Sequence, residues 1–357
     1  MRLAVLATSR HPLRQPWPGG QESQTARLAR GLRERGHQVV LFAAAGSDPD
    51  LADELHAYPR LPPLSEVSAL DPHLPEPEFL RDHAAFTAAM TQVLRDQDID
   101  LVHNQSLHHL PLSMSPALRV PVVTTLHTPP FPWMELGVAL ADDRARYVCV
   151  SRAAARDWTC LPREPEIIPN GVVVPQDSPG PGGDDLVWVG RVTPEKGLDL
   201  AIAAARIAGR RLRIIGPVSD EAYADGVIRP LLGADAQLLG HLPTEQIGPV
   251  LDDSAACLVT PRWDEPFGLV AAEAMVRGTP VVAVARGGLR EVVGPGGGVL
   301  VPPGDDESVA TGLAAAVAQA AALDRTQVAR WARRVHDVES SITRYEQFFA
   351  RVLAGAA

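Results

Sequence analysis

The stretch PRWDEPFGLVAAEAMVRGTPVVA, from Pro261 to Ala283, contains the local pattern on which the fold prediction rests. It follows an apolar run, Ala256–Thr260, that predicts a strand. Pro266 and Gly268 indicate a tight turn, after which apolar residues at helical spacing predict a helix. Val281–Ala283 then predicts another strand. Strand, turn, helix and strand in this order are typical of a parallel sheet.

The same alternation runs through the rest of the chain in two series. Val174–Asp185 is so rich in proline and glycine that neither a helix nor a strand can cross it, so we place the domain boundary there. The sequence therefore predicts an α/β protein of two facing Rossmann-like domains with a cleft between them. The other predicted strands are Leu3–Ala7, Val39–Ala43, Leu101–His103, Pro121–Thr125 and Tyr147–Val150, then Leu186–Val189, Arg211–Ile215, Gln237–Leu239 and Val299–Val301.

Two further segments are predicted separately, an irregular loop in the first domain and the C-terminal tail. Between Gly46 and Pro77 the chain holds many prolines and little periodicity, which predicts an irregular loop. The predicted helix Val335–Leu353 carries aromatic residues at helical spacing, from Tyr345 to Phe349. Such a helix needs an apolar surface on which to pack.

The bulk composition limits the classes of function. At 357 residues and 46% hydrophobic residues, the chain is long enough for two full-size cores. Its net charge of −10 argues against nucleic-acid binding, which requires a basic face. No apolar run approaches the length of a transmembrane helix, and the first residues resemble a strand more than a signal peptide. We therefore predict a cytoplasmic protein, for which peripheral contact with a membrane stays open.

Lys196 is the only lysine among the 33 lysine and arginine residues, and it lies in the run GRVTPEKG from Gly190 to Gly197. Arg191 follows a predicted strand and Gly197 opens a helical pattern, so both charges lie between a strand end and a helix start. Anions bind at such places, because ligands sit beyond the carboxyl ends of parallel strands and helix N-termini offer free amides. The residues therefore favour a phosphate site, while a lysine retained by chance and a solvated charge pair are the alternatives.

Two carboxylates accompany the helix predicted after Gly268. Glu265 precedes the helix and Glu273 lies within it, so the two can flank a ligand over its N-terminus. The free amides from Phe267 to Val270 suit a phosphate, and a carboxylate suits sugar hydroxyls because it accepts two hydrogen bonds. Taken singly, Glu265 is also explained as a charge favourable at a helix N-terminus, and Glu273 as a solvated residue.

Four motifs together resemble a known family. They are GRxxxxKG at Gly190–Gly197, EPFGLxxxE at Glu265–Glu273, IPNGV at Ile168–Val172 and the pair Gly19–Gly20. Over nearly its whole length the chain resembles the retaining nucleotide-sugar glycosyltransferases of the GT-B fold, the family 4-like and group 1 enzymes. The resemblance implies an acceptor-binding domain at 1–174, rejoined by a C-terminal helix at 336–357, and a donor-binding domain at 175–335.

The same resemblance implies the chemistry. The enzyme would move a hexose-type sugar from a UDP- or GDP-sugar to a small-molecule, lipid or glycan acceptor, with no cofactor and no metal. His127, Glu265, Arg191 and Lys196 would be catalytic, with both cations on the diphosphate and Glu265 on the donor sugar. Glu273 would hold the ribose. The implied donor-binding residues are Gly19, Gly20, Arg191, Lys196, Gly216, Pro217, Leu242, Glu265, Phe267, Gly268, Leu269, Val270 and Glu273.

His127 is the candidate with the weakest support from the residues alone. It follows the predicted strand Pro121–Thr125 at the end where functional groups gather, yet a structural role explains it equally well. His103, His108 and His109 also lie near strand ends, and their spacing fits no metal-binding motif.

Other interpretations of the chain stay open at this point. A nucleotide-sugar epimerase or a phosphorylase shares the predicted fold, and a non-catalytic subunit would bind the donor without turning it over. The apolar loop Pro129–Met134 is consistent with a lid, an acceptor site or packing against the sheet. The arginine- and alanine-rich composition suggests a GC-rich bacterial source.

Overall fold

Two parallel β-sheets organise the molecule. The structure is a computed structural model that describes residues 1–61, 63–73 and 76–355. In the first sheet the strands run in the order β3-β2-β1-β4-β5-β6-β7, and in the second in the order β10-β9-β8-β11-β12-β13. The strands are β1 Arg2–Leu6, β2 Gln38–Ala43, β3 Glu54–Ala57, β4 Leu101–Asn104, β5 Val122–Leu126, β6 Arg146–Cys149, β7 Glu166–Ile167, β8 Leu186–Val189, β9 Leu212–Ile215, β10 Ala236–Gly240, β11 Ala256–Val259, β12 Val281–Val284 and β13 Gly298–Val301.

Helices cover both faces of each sheet. Apolar residues on these helices and on the strands form two buried clusters in each domain, one on either side of its sheet. The prediction of two Rossmann-like domains is therefore confirmed. The helices are α1 Gly20–Glu34, α2 Pro77–Arg95, α3 Leu110–Ser113, α4 Pro132–Ala139, α5 Arg152–Asp157, α6 Leu198–Ile207, α7 Glu221–Tyr223, α8 Thr244–Asp252, α9 Leu269–Val276, α10 Leu289–Val293, α11 Asp306–Ala321, α12 Arg325–His336 and α13 Val338–Ala354.

Each sheet has one topological switch point, where consecutive connections leave in opposite directions. The chain moves outward from β1 to β3, then returns to place β4 on the other side of β1. The second sheet repeats this arrangement at β8 and β11. The loops that follow the two central strands therefore diverge and leave a crevice, which is where open α/β sheets bind ligands.

The C-terminal helix returns to the first domain, as predicted. Ile342, Tyr345 and Phe349 of α13 are buried in the same cluster as Leu28 and Leu32 of α1. Gly31 allows the close approach of the two helices, because a Cβ at that position would overlap the end of the Ile342 side chain. The apolar face predicted for the tail is thereby covered by α1.

The structure adds two strands to the predicted elements, the short β7 and the edge strand β3, and it divides one predicted helix. The loop expected between Gly46 and Pro77 contains β3, which pairs in parallel with β2; residues 62, 74 and 75 of that loop lie outside the described residues. The predicted tail helix is broken after His336, because Asp337 adopts an extended conformation and accepts a hydrogen bond from Glu339 N as the cap of α13.

No helix among the described residues is both long enough and apolar enough to cross a membrane.

Candidate active site

The loops that follow β8 and β11 meet at the switch point of the second sheet. The first loop carries Arg191 and Lys196, and the second carries Glu265. Gly197 is the N-cap residue of α6 with φ of +63°, and a Cβ there would overlap the carbonyl oxygen of Thr260. Thr260 Oγ1 donates to Gly197 O at 2.8 Å and accepts from Trp188 Nε1 at 3.2 Å. The two loops are thus fixed against each other by backbone contacts that only glycine permits.

Lys196 and Glu265 form the centre of this arrangement. Lys196 Nζ donates to Glu265 Oε2 at 2.6 Å, and Trp263 Nε1 donates to the same oxygen at 3.1 Å. The ammonium also lies 5.2 Å from the centre of the Trp263 ring. Within residues 1–61, 63–73 and 76–355, no hydrogen-bond donor contacts the second oxygen, Oε1. Glu265 therefore keeps an acceptor free for a ligand.

Arg191 lies nearby with greater freedom. Its side chain is 45% exposed, and Nη2 contacts Glu195 Oε1 at 3.4 Å. This long and exposed ion pair stabilises little and is easily exchanged for an anionic ligand. The structure thus places Arg191 and Lys196 on one short loop, as the sequence indicated.

The N-terminus of α9 completes the second-domain side of the cleft. Gly268 precedes the helix with φ of +92°, and Phe267 is buried in the core, which fixes the turn. The first amides of a helix have no partner within it, so those of Leu269 and Val270 at the start of α9 can donate to a ligand. A Cβ at Gly20 would lie 2.7 Å from Leu269 Cδ1. The glycine turn of the first domain therefore approaches α9 across the cleft.

The backbone carbonyls of Glu265 and the next residue also accept hydrogen bonds. Gly288 N, in the loop after β12, donates to Glu265 O at 2.7 Å. Ser151 Oγ, at the start of α5 in the first domain, donates to Pro266 O at 2.7 Å. The backbone that carries Glu265 is thus positioned by both domains.

Glu273 takes part in an ion pair between the domains. Its Oε1 accepts from Arg27 Nη2 of α1 at 2.7 Å, and the Arg27 side chain is only 11% exposed. Glu273 therefore lies at the cleft, next to α1. A contact with ribose would share the carboxylate with Arg27.

Three of the expected donor-binding residues, Gly216, Pro217 and Leu242, follow the ends of β9 and β10. Gly216 N donates to Gly240 O at 2.9 Å, and Pro217 O accepts from Val192 N at 2.9 Å. His241 Nε2 lies 3.0 Å from Trp17 O, in the long loop after β1. That loop therefore extends over this edge of the second sheet. Leu242 is half-buried beside it.

His127 belongs to a buried polar network at the end of β5. Its Nε2 lies 2.6 Å from Gln105 Oε1, an oxygen that only accepts, so Nε2 carries the proton and Nδ1 keeps its lone pair. Gln105 Nε2 donates to His103 Nε2 at 2.8 Å and to Thr125 Oγ1 at 3.1 Å. Tyr345 of α13 contacts Thr125 Oγ1 at 3.1 Å. The network fixes the orientation of the His127 ring.

Burial keeps these imidazoles neutral. It lowers the pKa of His127 to about 4. Burial, with a smaller contribution from His127, lowers the pKa of His103 to about 3. His127 is therefore uncharged near neutral pH.

Sequence reasoning missed three residues of this site. Trp263 precedes Glu265 by two positions in the stretch first quoted, and Gln105 directly follows β4 as His127 follows β5, so both carried a usable signal. Arg27 carried none, because its partner Glu273 is 246 residues away.

The apolar loop after His127 is partly helical. Pro132 starts α4, and Trp133 is 47% exposed while its ring stacks on His109 with centres 5.1 Å apart. Pro129 lines a small cavity together with Glu265 and Asp264. The start of this loop therefore lies opposite the proposed sugar-binding carboxylate.

Comparisons with known proteins give matches in both domains. The family model Glycosyltransferase Family 4 matches residues 18–174, and Glycosyl transferases group 1 matches residues 178–334. A D-inositol 3-phosphate glycosyltransferase of Geodermatophilus obscurus is 30% identical, in a match that covers 89% of this chain and 82% of that protein. A phosphatidyl-myo-inositol mannosyltransferase of Mycobacterium leprae is 29% identical over 325 residues, which cover 84% and 83%.

A solved structure shares the whole fold. The Anabaena protein HepE, crystallised with UDP and glucose, superposes with a TM-score of 0.76 at 20% sequence identity. The match covers 98% of this chain and 100% of that one.

Proposed function

This chain belongs to the glycosyltransferases of the GT-B fold and uses a nucleotide sugar, and on that premise we propose the details of its reaction. We propose that a hexose-type unit passes from a UDP- or GDP-sugar to an acceptor bound by the first domain. The anomeric configuration is retained, and no metal ion takes part at the diphosphate.

The observation that carries this proposal is the contact between Lys196 and Glu265 beside the N-terminus of α9. An ammonium has three donors, so Lys196 can hold Glu265 and a phosphate oxygen at the same time. Glu265 Oε1 then accepts from a hydroxyl of the donor sugar. The sugar and the diphosphate thus lie on either side of one ion pair.

The charges at this site favour departure of the diphosphate. Negative charge grows on the leaving group as the sugar–phosphate bond breaks, so fixed positive groups stabilise the transition state more than the substrate. Lys196, Arg191 and the free amides of α9 supply that positive field. We assign to these groups the stabilisation of the leaving diphosphate, a role that a metal ion has in other phosphate chemistry.

The state of Glu265 favours one of the two routes by which a glycosyltransferase can retain the anomeric configuration. Its Oε2 already accepts from Lys196 and Trp263, which lowers its nucleophilicity toward the anomeric carbon. We therefore assign retention to attack of the acceptor on the face from which the diphosphate leaves. The sugar passes through a short-lived ion pair, without a covalent bond to Glu265.

The acceptor is a hydroxyl-bearing molecule. Two relatives are named for inositol-containing acceptors, which makes such polyols the first candidates. The HepE structure contains UDP, which makes UDP-glucose the first donor to test.

The experiment is an NMR assay of the products. Wild-type enzyme is incubated with UDP-glucose or a GDP-sugar, with and without inositol-type acceptors. We expect nucleotide release that depends on acceptor, and a product with the anomeric configuration of the donor. An inverted product would contradict retention, and conversion of the donor without acceptor would favour an epimerase. Lys196→Ala serves as the control for contaminating activity.

A further inference from the structure

Three histidines come together in the first domain, whereas the ion pair of Lys196 and Glu265 lies in the second. His83 lies on α2, while His108 and His109 follow β4. One ring nitrogen from each lies within 4.8 Å of the others. In the described part of the chain, no other set of three histidine, cysteine or acidic side chains approaches so closely.

We propose that His83, His108 and His109 bind one divalent transition-metal ion, for which Zn²⁺ is the best-suited probe. Imidazole nitrogen is a preferred ligand of zinc, and three such ligands leave a fourth position for water. With Zn–N bonds of about 2.0–2.1 Å, a tetrahedral site places the ring centres about 5 Å apart. The observed separations are 4.8, 6.2 and 6.4 Å.

His109 supplies the second, independent observation. The residue is 8% exposed, and its Nε2 is buried without a hydrogen-bond partner. Its Nδ1 lies 3.2 Å from Ser113 Oγ. When Nδ1–H donates to that hydroxyl, Nε2 keeps a lone pair that nothing satisfies. A buried polar atom without a partner is costly, and a metal ion would remove that cost.

The other two rings can adapt to the ion. His83 is exposed, so its side chain can rotate toward the cluster at little cost. His108 is held in place by stacking on Phe86, with ring centres 4.4 Å apart. Its Nδ1 accepts a long hydrogen bond from Leu110 N at 3.2 Å. Metal binding at this ring replaces that one backbone interaction.

The position of the cluster indicates what the ion would do. Asp82, next to His83, accepts from Ser9 Oγ at 2.5 Å and from Arg10 Nε at 2.9 Å. Ser9 and Arg10 lie in the loop after β1, while His108 and His109 lie in the loop after β4. The ion would therefore link α2 to the loop after β4. This loop lies at the switch point of the first sheet, beside the loop after β1. It would stabilise this part of the first domain.

The test is a zinc titration of the full-length protein, freed of metal by a chelator and carrying no histidine tag. We expect one ion per chain, and a thermal midpoint raised by Zn²⁺. Bound Co²⁺ should give the absorption of a tetrahedral site. His83→Ala should weaken binding by at least the roughly ten- to hundredfold that loss of an outer-shell partner costs at metal sites.

The control variant is His73→Ala, which removes an exposed histidine outside the cluster. It should bind zinc as the wild type does. His83→Ala is the decisive variant because an exposed side chain can be truncated without disturbing the fold, whereas His109→Gln changes a buried position. The proposal is overturned if the wild type shows no saturable binding, or if His83→Ala binds zinc with unchanged affinity.

Discussion

We assign two roles to Glu265, and a single substitution can separate them. Its Oε2 neutralises Lys196, while its Oε1 remains available to a sugar hydroxyl. A free nucleotide has no sugar for Oε1 to contact, whereas the full donor does. Loss of the Glu265 charge should therefore affect the binding of a free nucleotide and the turnover of the full donor differently.

We predict that Glu265→Gln lowers kcat by roughly ten- to a hundredfold, because a lost hydrogen bond to a charged group costs about 1.5–3 kcal/mol. The affinity for the free nucleotide should stay equal or increase, since Lys196 loses an anionic competitor. Steady-state kinetics and calorimetry measure the two effects. Glu307→Gln, on the exposed start of α11, is the matched control. Equal losses in nucleotide affinity and kcat would show that Glu265 acts on the nucleotide.

His103 gives a prediction for stability against pH. It is fully buried and faces Tyr345, Phe349 and His127. Burial lowers its folded-state pKa to about 3, so the unfolded chain binds the extra proton below about pH 6.5. As the pH is lowered below about 6.5, the free energy of unfolding should therefore decrease, by up to about 1.4 kcal/mol per pH unit for each such histidine.

Urea unfolding of wild type and His103→Gln at a series of pH values between 7 and 4 checks this. The variant should be less stable at pH 7 but should lose less stability as the pH falls. Parallel curves for the two proteins would mean that His103 does not contribute to the acid sensitivity.

The loop between β8 and α6 depends on a glycine that no other residue replaces. Gly197 has a left-handed backbone, and a Cβ there would overlap Thr260 O. Gly209 has nearly the same backbone conformation, with φ of +65°, yet nothing lies within 4 Å of a Cβ built on it. Alanine substitutions at the two positions therefore distinguish the cost of backbone strain from the cost of steric overlap.

Gly209→Ala should cost about 1–2 kcal/mol of stability, the usual cost of a left-handed residue with a side chain. Gly197→Ala should cost more and should also weaken nucleotide binding, because Lys196 moves with the loop. Thermal denaturation and nucleotide titration measure both. Equal behaviour of the two variants in both assays would contradict the role assigned to the contact between the loops.

The sequence allowed the elements of the second domain to be predicted better than those of the first. Strands such as β8 and β12 are buried on both faces, so they are visible as apolar runs. β3 escaped prediction because Glu54 and His56 make an edge strand half-polar. Lys196 and Glu265 were recognisable from local motifs. No single stretch of sequence could indicate Arg27, Gln105 or His83, because their partners are distant in sequence or lie on other elements.

The two domains hold each other through contacts near the site. The Glu291 carboxylate accepts from Ala153 N at 2.8 Å and from Arg152 N at 3.1 Å, so a residue of the second domain caps α5 of the first. The ion pair of Arg27 and Glu273 joins α1 to α9. These polar contacts are few, and a cleft closed by such contacts can open.

We predict that Glu291→Ala increases the radius of gyration of the ligand-free protein, because the closed arrangement loses a helix cap. The donor KM should rise as the closed state becomes less populated. Small-angle X-ray scattering and kinetics measure these quantities. Glu307→Ala, on the exposed start of α11, is the control. An unchanged radius of gyration in Glu291→Ala would show that this contact does not keep the cleft closed.

The central claim is that Lys196 holds the donor diphosphate without a metal ion. Calorimetric titration of UDP and GDP into wild type, Lys196→Ala and the surface control Arg210→Ala, each with and without EDTA, tests it most directly. We expect one nucleotide to bind the wild type with a Kd on the order of micromolar. EDTA and Arg210→Ala should leave that Kd unchanged, while Lys196→Ala should raise it by roughly ten- to a hundredfold. Binding abolished by EDTA, or unchanged in Lys196→Ala, would contradict the account.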